Sequence, residues 1–262
     1  MSDALTFDDE QTRQIVALYT TPDVAAQRDY TLRLLNLQAG EKVLDIGSGP
    51  GFLAHSMADI VGEGGAVHGV DVSASMLSVA EQQCADQSWV TFHDADATDL
   101  PFDDNTFDAA ITTQVWEYVN DVAAAAAELQ RVLRPGGRAL ILDTDWDTAI
   151  WPTADADRMR HIMQVWESHC AHARLPRYLT PILRDAGLSV TTHDVYVLLN
   201  TEYNADTYSY TAVKIISQYV ANRDGITQET IDAWLNELQQ LADDDAYFFS
   251  NNRYIFMVEK SR

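Results

Sequence analysis

From Val43 to Gly51 the chain reads VLDIGSGPG, and these nine residues indicate the fold more clearly than any other segment. Its apolar first half predicts a buried strand. Its three glycines, Gly47, Gly49 and Gly51, predict a turn, because glycine tolerates positive φ and lets the main chain approach a ligand closely. A helix pattern over residues 52–60 follows at once, so the turn presents free backbone N–H groups. Strand–turn–helix units of this kind bind nucleotides in open α/β sheets.

Strand and helix patterns alternate on both sides of this stretch. The predicted strands lie near 42–47, 66–71, 89–93, 107–113 and 138–143, and the predicted helices near 51–61, 74–85 and 121–133. Apolar strands that alternate with helices are typical of parallel sheets covered on both faces. The sequence therefore predicts an α/β fold.

More helices are predicted before the first strand and after the fifth. The first helix begins at Asp8 or Asp9 and reaches Tyr19, and the second begins with Thr21 as its cap and ends near Asn36. Beyond residue 143 the patterns predict a long helix at 153–173, a helix at 177–186, a strand at 188–198, helices at 205–222 and 227–242, and a last strand at 246–258. We predict one domain over 1–262, with an N-terminal helical cap (1–38), a ligand-binding core (39–145) and two lid insertions (146–176 and 200–245).

The composition restricts the classes of partner. Lys and Arg number 17 against 40 Asp and Glu, which gives a formal net charge of -23. Such a surface repels nucleic acid and anionic lipid, so we expect a small-molecule substrate and no nucleic-acid partner. The acidity is explained either by solubility or by adaptation to high salt. No long apolar run or signal pattern occurs, so we predict no membrane span and expect a cytoplasmic protein.

A carboxylate is predicted at the end of the second strand. Val67 to Asp71 reads as that strand, and Asp71 lies about as far beyond the glycines as a ribose-binding acid does. A carboxylate suits this role because its two oxygens accept from both ribose hydroxyls. The alternative is that Asp71 caps the helix at 74–85, although Ser73 is the better cap.

Further segments follow in a characteristic order. They are Asp94 to Phe102 (DADATDLPF), Phe107–Asp108 before strand four, and Arg134 to Gly137 (RPGG) before strand five. Together with the Asp-x-Gly-x-Gly-x-Gly run of 45–51, they resemble the class I S-adenosylmethionine-dependent methyltransferases, and in particular the small-molecule group of ubiquinone and menaquinone biosynthesis. The resemblance covers about residues 40–145. It implies a Rossmann-like, seven-stranded, mostly parallel sheet with a final antiparallel strand pair and a helical lid.

The resemblance also implies S-adenosyl-L-methionine as cofactor and S-adenosyl-L-homocysteine as product. Asp96 is expected to accept from the adenine amino group, with Asp94 as the alternative. Asp45 either organises the turn or meets the amino group of the methionine moiety. Arg28 either grips the methionine carboxylate with a bidentate fork or is a solvated helix residue. The expected cofactor-binding residues are Arg28, Asp45, Gly47, Ser48, Gly49, Gly51, Asp71, Val72, Met76, Asp96, Ala97, Thr113 and Gln114.

The sequence says less about the residues that bind the methyl acceptor and catalyse the transfer. In-line methyl transfer needs alignment, exclusion of water and a group that takes one proton, so no fixed triad is expected. The candidate catalytic residues are Glu117, Asp145 and His169, with Asp143, His161 and His172 as further possible bases; capping, ion pairing or exposure is the alternative for each. The candidate substrate-binding residues are Trp116, Tyr118, Trp146 and Arg177, and the alternatives are core packing for the aromatic residues and pairing with acids for the arginine.

No metal site is expected. His169, Cys170 and His172 are close in sequence, but helical spacing turns Cys170 away from the histidines. The two cysteines, Cys84 and Cys170, are expected to be free thiols. The methyl acceptor stays open, and so does the choice between a monomer and a homodimer.

Two other classes of function are weighed against a methyltransferase. One is a non-catalytic protein that binds S-adenosylmethionine or another nucleotide. The other is an NAD-dependent oxidoreductase, which the glycine spacing disfavours because the dinucleotide fingerprint keeps two residues between its second and third glycines.

Overall fold

A seven-stranded sheet forms the centre of the protein. The computed structural model describes residues 9–262, with side chains from residue 12 onward, so the predicted cap at Asp8 lies outside the described residues. The strand order is β3-β2-β1-β4-β5-β7-β6. The strands are β1 (Lys42–Ile46), β2 (Ala66–Asp71), β3 (Val90–Asp94), β4 (Phe107–Thr113), β5 (Leu133–Thr144), β6 (Leu188–Asn200) and β7 (Phe249–Lys260). Strands β1 to β5 run parallel, and β7 is antiparallel to β5 and β6. The predicted Rossmann-like α/β fold is confirmed.

The helices are α1 (Asp9–Tyr19), α2 (Pro22–Leu35), α3 (Phe52–Val61), α4 (Ala74–Gln83), α5 (Val122–Val132), α6 (Ala156–Glu167), α7 (Leu179–Asp185), α8 (Tyr208–Val220) and α9 (Gln228–Asp243). Ser73 caps α4, as its spacing predicts, and Asp121 caps α5 by accepting from the Ala124 N–H at 2.9 Å. Thr21 occupies the N-cap position of α2, as predicted, but its side chain does not bond to the first turn of that helix. Its hydroxyl donates to the carbonyl of Leu18 at 2.9 Å instead, and so ties α2 to the end of α1.

The two faces of the sheet are covered by different helices. Successive strand residues point to opposite faces. Val43 packs with residues of α2 and α3, whereas Leu44 packs with residues of α5 and α7. Both side chains are fully buried. The glycine turn, residues 47–51, begins directly after β1, so both packed layers fix its position.

A third apolar cluster covers the carboxyl end of the sheet next to β5, β6 and β7. It combines residues of α6, α8 and α9 with Trp146 and Trp151, which follow β5, and with Phe249 at the start of β7. Residues of the two predicted lid insertions thus pack against one another and against the sheet edge. Val24 of α2 joins the same cluster.

The predicted helix at 153–173 is wrong in its extent, because α6 ends at Glu167. The Ser168 hydroxyl donates to the Val165 carbonyl at 2.7 Å, and the His169 N–H donates to the Trp166 carbonyl at 3.0 Å, which tightens the last turn. The chain then turns away, since the His172 N–H donates to the carbonyl of Glu117 at 2.9 Å. A residue that ends a helix in this way gives no periodic signal in the sequence.

Between residues 9 and 262, none of the helices combines the length and the apolar character that a membrane span requires.

Candidate functional site

The glycine turn is held by the end of β2. The carbonyl of Val70 accepts the N–H groups of both Gly47 and Ser48, at 2.8 and 2.9 Å. Asp71 accepts the Gly49 N–H at 2.9 Å through Oδ2 and the Ser73 N–H at 2.9 Å through Oδ1. Asp71 is therefore not free of backbone contacts, although Ser73 caps α4. Each carboxylate oxygen keeps lone-pair capacity for a further donor.

All three glycines of the turn have a positive φ, but they differ in the space that a side chain would meet. A Cβ on Gly47 would lie 2.1 Å from Cγ2 of Val115, and a Cβ on Gly51 would lie 2.8 Å from Cα of Ala80. These two positions need glycine for packing. A Cβ on Gly49 would meet no atom within 4 Å. Gly49 therefore faces open space, where a ligand can lie against the main chain.

A cavity of about 60 Å³ lies between the glycine turn and α2. Seven of the expected cofactor-binding residues line it: Arg28, Asp45, Gly47, Ser48, Gly49, Thr113 and Gln114. The structure thus brings together residues of α2, β1, β4 and the glycine turn. The cavity is also lined by Tyr19, Val24, Gln27, Thr31, Pro50, Phe52 and Leu53. None of these seven is among the cofactor-binding residues expected from the sequence, because the spacing of the helix residues among them is that of ordinary helix positions.

Several polar atoms at this cavity are buried and lack a hydrogen-bond partner among the described residues. They are Oδ2 of Asp45, Oγ of Ser48 and Nε2 of Gln114. Gln114 also has a positive φ of 57°, which is strained for a residue with a side chain. Unpaired buried polar groups and backbone strain both concentrate at binding sites. The set includes an acceptor, a hydroxyl and a donor, which suits a ligand with mixed polar groups.

The Asp45 carboxyl is almost fully buried, with 1 % of its surface exposed. Burial, together with the smaller effect of the nearby charge of Asp71, raises the pKa of Asp45 to about 8. Burial also raises the pKa of Asp71, while the Ser73 and Gly49 N–H groups lower it. A cationic group bound at this end of the cavity would favour the ionised form of Asp45.

Arg28 lies on the opposite wall of the cavity. Its Nη1 donates to the Tyr19 carbonyl at 3.4 Å, and its guanidinium lies 5.6 Å from the centre of the Phe52 ring. Burial lowers the pKa of Arg28, and Asp29 opposes that effect. The long contact to Tyr19 leaves most of the five donors of this guanidinium available to a ligand.

The residues expected around adenine lie outside the cavity. Val72 is 59 % exposed directly after Asp71, whereas Met76 is buried. Asp96 is exposed, and its Oδ1 accepts from the N–H and the hydroxyl of Thr98 at 2.8 and 2.7 Å. Ala97 is buried behind that turn. An exposed valine beside the ribose-binding candidate is an available apolar surface for a planar ring.

The candidate catalytic and substrate-binding residues fall into two groups. The residues of the first group are held in contacts with other parts of the protein. Asp145 and Arg177 bind one another, with Nε to Oδ2 at 2.6 Å and Nη2 to Oδ1 at 3.0 Å. Trp116 is fully buried in the core between the sheet and α5. These contacts correct the expectation that Asp145 is a free base, that Arg177 is free to bind a substrate and that Trp116 is a pocket wall.

His169 is also held by its surroundings. Its ring stacks on Trp166 with centroids 3.6 Å apart, and its Nδ1–H donates to the Trp166 carbonyl. The other nitrogen, Nε2, lies 3.3 Å from Sγ of Cys170. Burial lowers the pKa of His169 to about 4, so the ring is neutral and weakly basic at neutral pH. This arrangement corrects the expectation of a His169 base.

The second group surrounds Glu117, which has no exposed surface. Asp143 is equally buried, and its Oδ1 accepts from the N–H groups of Val115 and Glu117 at 3.1 and 3.4 Å. Arg253 of β7 is 3 % exposed and donates to Gln27 at 2.5 Å. We call Glu117, Asp143 and Arg253 the Glu117 cluster. Arg253 was not singled out in the sequence, because its partner Gln27 lies 226 residues away.

The pKa values in the Glu117 cluster reflect its burial. Burial raises the pKa of Glu117 to about 7, while Arg253, Tyr118 and Trp146 lower it. Burial and the charge of Glu117 raise the pKa of Asp143 well above its usual range. The raised pKa of Glu117 places its carboxyl group near the pH at which a general base works best.

A group of three or more potential metal ligands is not found between residues 12 and 262. Cys84 and Cys170 are both free thiols.

Comparison with known proteins identifies the family. Residues 44–141 match a family described as a methyltransferase domain. Residues 44–141 therefore form a methyltransferase domain. The family resemblance inferred from the glycine turn, the second-strand acid and the segments at 94–102 and 134–137 is thereby confirmed.

Individual relatives cover only parts of the chain. The domain is 38% identical over 117 residues to the demethylmenaquinone methyltransferase of Bacillus licheniformis, a match of 45% of this chain and 50% of that protein. A 37.1 kDa protein in transposon TN4556 of Streptomyces fradiae is 33% identical over 177 residues, which are 67% of this chain and 51% of that protein. The chain thus spans about half the length of these relatives. The solved structure of the YcgJ protein from Bacillus subtilis has the same fold, with a TM-score of 0.63 and 20% identity over 91% of this chain and 99% of that chain.

The different roles of the glycines predict different costs of substitution. Gly49→Ala should lower the free energy of unfolding by only about 1 kcal/mol, the cost of a left-handed alanine. Gly47→Ala carries the same backbone cost and also forces a Cβ into Val115, which adds about 1–3 kcal/mol. Urea unfolding of both variants measures the difference. Equal losses would contradict the packing described for Gly47.

The raised pKa of Asp45 predicts a pH-dependent stability. The folded protein keeps a proton on Asp45 that the unfolded chain has released, so the free energy of unfolding should fall as pH rises from about 4 to about 8. Asp45→Asn removes this titration. We expect the variant to lose less stability than the wild type between about pH 5 and about pH 8, by more than about 1 kcal/mol. Parallel curves from urea unfolding at several pH values would show that Asp45 is ionised throughout.

Proposed function

We propose that the protein is an S-adenosylmethionine-dependent methyltransferase that acts on a small organic molecule by in-line methyl transfer and releases S-adenosylhomocysteine. The observation that carries the proposal is the joint placement of Arg28, Asp45 and the glycine turn around one cavity. The methyltransferase domain match and the demethylmenaquinone methyltransferase relative support the same activity.

The residues at the cavity fit the amino-acid end of the cofactor. Arg28 carries available donors for its carboxylate, and a guanidinium binds a carboxylate with two parallel hydrogen bonds. Asp45 offers an unpaired oxygen for its ammonium group. Ser48 and Gln114 add an unpaired hydroxyl and an unpaired amide N–H. One anionic and one cationic ligand group would thus each meet a group of opposite charge.

The nucleoside end fits the surface beside the cavity. Asp71 would accept from the ribose hydroxyls with the lone pairs that its backbone contacts leave unused. Val72 and Met76 would lie against adenine, and Asp96 with Ala97 would meet its edge. The open side of Gly49 lets the ligand pass along the main chain between the two ends.

The cofactor, when bound, supplies an electrophilic methyl group, so the chain has to orient the acceptor, exclude water and remove a proton. The cluster of α6, α8 and α9 excludes water from the carboxyl end of the sheet. Among the candidate bases, Glu117 combines complete burial with a pKa of about 7 and carboxylate oxygens without a partner among the described residues. We therefore assign proton removal to Glu117 rather than to Asp145 or His169.

The cavity is smaller than a whole S-adenosylmethionine molecule. Tyr19 at the end of α1 and Arg28 on α2 close it on the helical side. The cavity therefore has room for only part of the cofactor, and the nucleoside end would lie on the surface beside it, at Val72.

Other partners are less compatible with the chain. The net charge of -23 opposes a nucleic-acid substrate. We propose a cytoplasmic monomer or homodimer, with the acidic surface serving either solubility or life at high salt. The domain match and the relatives give no support to an NAD-dependent oxidoreductase or to a non-catalytic binding protein.

The decisive test is calorimetric titration with S-adenosylhomocysteine and, separately, with NADH. We expect S-adenosylhomocysteine to bind and NADH not to bind. Asp71→Ala should weaken S-adenosylhomocysteine binding by about 10–100-fold, because it removes a charged acceptor worth about 1.5–3 kcal/mol.

Asp99→Asn, which changes an exposed acid after β3, is the matched control and should leave the affinity unchanged. Thermal unfolding of Asp71→Ala checks that the turn still folds without its Gly49 contact. An unchanged affinity in folded Asp71→Ala, or tight NADH binding, would overturn the proposal.

A further inference from the structure

The Glu117 cluster lies directly behind the wall of the cofactor cavity. Gln27 lines the cavity and accepts a hydrogen bond from Arg253 at 2.5 Å. Gln114 also lines it and accepts from the hydroxyl of Thr144, the neighbour of Asp143, at 2.7 Å. Tyr19 is a third residue that connects the cavity with the cluster. It lines the cavity, and the charges of both Asp71 and Glu117 raise the pKa of its hydroxyl. A molecule in the cluster would therefore lie next to the ligand in the cavity.

The cluster contains acceptor atoms that nothing in the described part of the chain satisfies. Both carboxyl oxygens of Glu117 and Oδ2 of Asp143 are buried without a well-aligned hydrogen-bond donor within 3.5 Å among residues 12–262, although the Tyr118 hydroxyl and the Trp146 indole N–H lie close enough to Glu117 to lower its pKa. Buried polar groups are normally paired, and each orphan costs about 1–3 kcal/mol. Three unpaired acceptor oxygens at one place match a ligand group with several N–H donors.

The charges point to a cationic group. Two buried carboxyl groups share this space with one guanidinium, that of Arg253. Arg253 is engaged elsewhere: it donates to Gln27 and lies 4.8 Å from the centre of the Tyr208 ring. Its contacts within the described structure do not include an ion pair with Glu117 or Asp143 within 4 Å. Because no cation is paired with these two carboxyl groups, protonation keeps them neutral. A bound cation would favour their ionised form and so displace the protons.

The surrounding side chains are those that stabilise a cation. Tyr118, Tyr208 and Tyr19 all interact with Glu117, and the indole N–H of Trp146 lies close enough to the same carboxyl group to lower its pKa. Aromatic rings attract ammonium groups through their faces. Conversely, three arginines beyond β5 are paired with acids and are not free to bind an anionic acceptor: Arg158 with Glu237, Arg174 with Asp147 and Glu167, and Arg177 with Asp145.

We propose that the methyl acceptor is a small amine, which binds as an ammonium ion against Glu117 and gives its proton to that carboxylate. This inference rests on the methyltransferase function proposed above. The proton passes from the ammonium nitrogen to an oxygen of Glu117. The freed lone pair then forms the N–C bond while the methyl–sulfur bond breaks and its electron pair stays on sulfur. The acceptor leaves as a methylammonium ion and the donor as a thioether, and the proton on Glu117 returns to water.

The test uses the full-length protein saturated with S-adenosylhomocysteine. Ethylamine, butylamine and benzylamine are titrated calorimetrically, each against the alcohol with the same carbon skeleton. We expect at least one amine to bind at least tenfold more tightly than its alcohol. Glu117→Gln should weaken that binding at least tenfold and leave the affinity for S-adenosylhomocysteine within about twofold of the wild type.

Glu167→Gln is the matched control, because this partly buried glutamate of the lid pairs with Arg174 outside the cluster. It should keep the amine affinity. Equal binding of every amine and its alcohol, or amine binding that Glu117→Gln does not change, would overturn the amine acceptor while the cofactor function stands. Failure of S-adenosylhomocysteine to bind the wild type would instead overturn the methyltransferase function.

A second readout needs no ligand. The groups that face Glu117 are Arg253 on β7, Asp143 on β5, Tyr19 on α1, Tyr208 on α8, and Tyr118, Trp146 and Cys170 on the connecting turns. Because the pKa of Glu117 is raised to about 7, the wild type should lose stability as pH rises from about 4.5 to about 7. Glu117→Gln should lack this part of the loss, and amine binding to the wild type should strengthen over the same range. Amine affinity that is independent of pH in this range would contradict proton transfer to Glu117.

Discussion

The hydrogen bonds from the glycine turn to the end of β2 are the constraint on which the site depends. The Val70 carbonyl and the Asp71 carboxylate together accept three successive N–H groups, those of Gly47, Ser48 and Gly49. This clamp fixes the turn between two parallel strands and aims the open side of Gly49 at the cavity. It also gives Asp71 two functions, since the carboxylate that would bind a ribose already shapes the loop beside it. The order of the parallel strands makes this possible, because β1 and β2 end at the same edge of the sheet.

The same edge collects the buried acids of the protein. Asp45, Glu117 and Asp143 follow or end β1, β4 and β5, and each is at least 99 % buried with an oxygen that lacks a partner among the described residues. Apolar residues at these positions would stabilise the fold more, since a buried carboxyl without a partner is costly. The three unpaired carboxyl groups thus destabilise the fold at the place where a polar ligand could form hydrogen bonds with them. The apolar cluster of α6, α8 and α9 packs over this end of the sheet.

A feature can be predicted from the sequence when the residues that determine it lie close together along the chain. The glycine turn, the acid after β2 and the strand alternation are local patterns, and they yield the fold and seven of the residues around the cavity. The contacts between distant segments are not local. The pairing of Gln27 with Arg253 joins α2 to β7, and nothing near either residue indicates it. For Asp145 and Arg177 the sequence offers two interpretations, and only their spatial proximity selects the ion pair.

The most direct test of the account is a crystal structure of the protein with S-adenosylhomocysteine. We predict that the homocysteine carboxylate binds Arg28, that the homocysteine ammonium group binds Asp45, and that Asp71 accepts hydrogen bonds from the ribose hydroxyls beside Gly49. A ligand bound away from the glycine turn, or a glycine turn unchanged and without contact to the ligand, would contradict it.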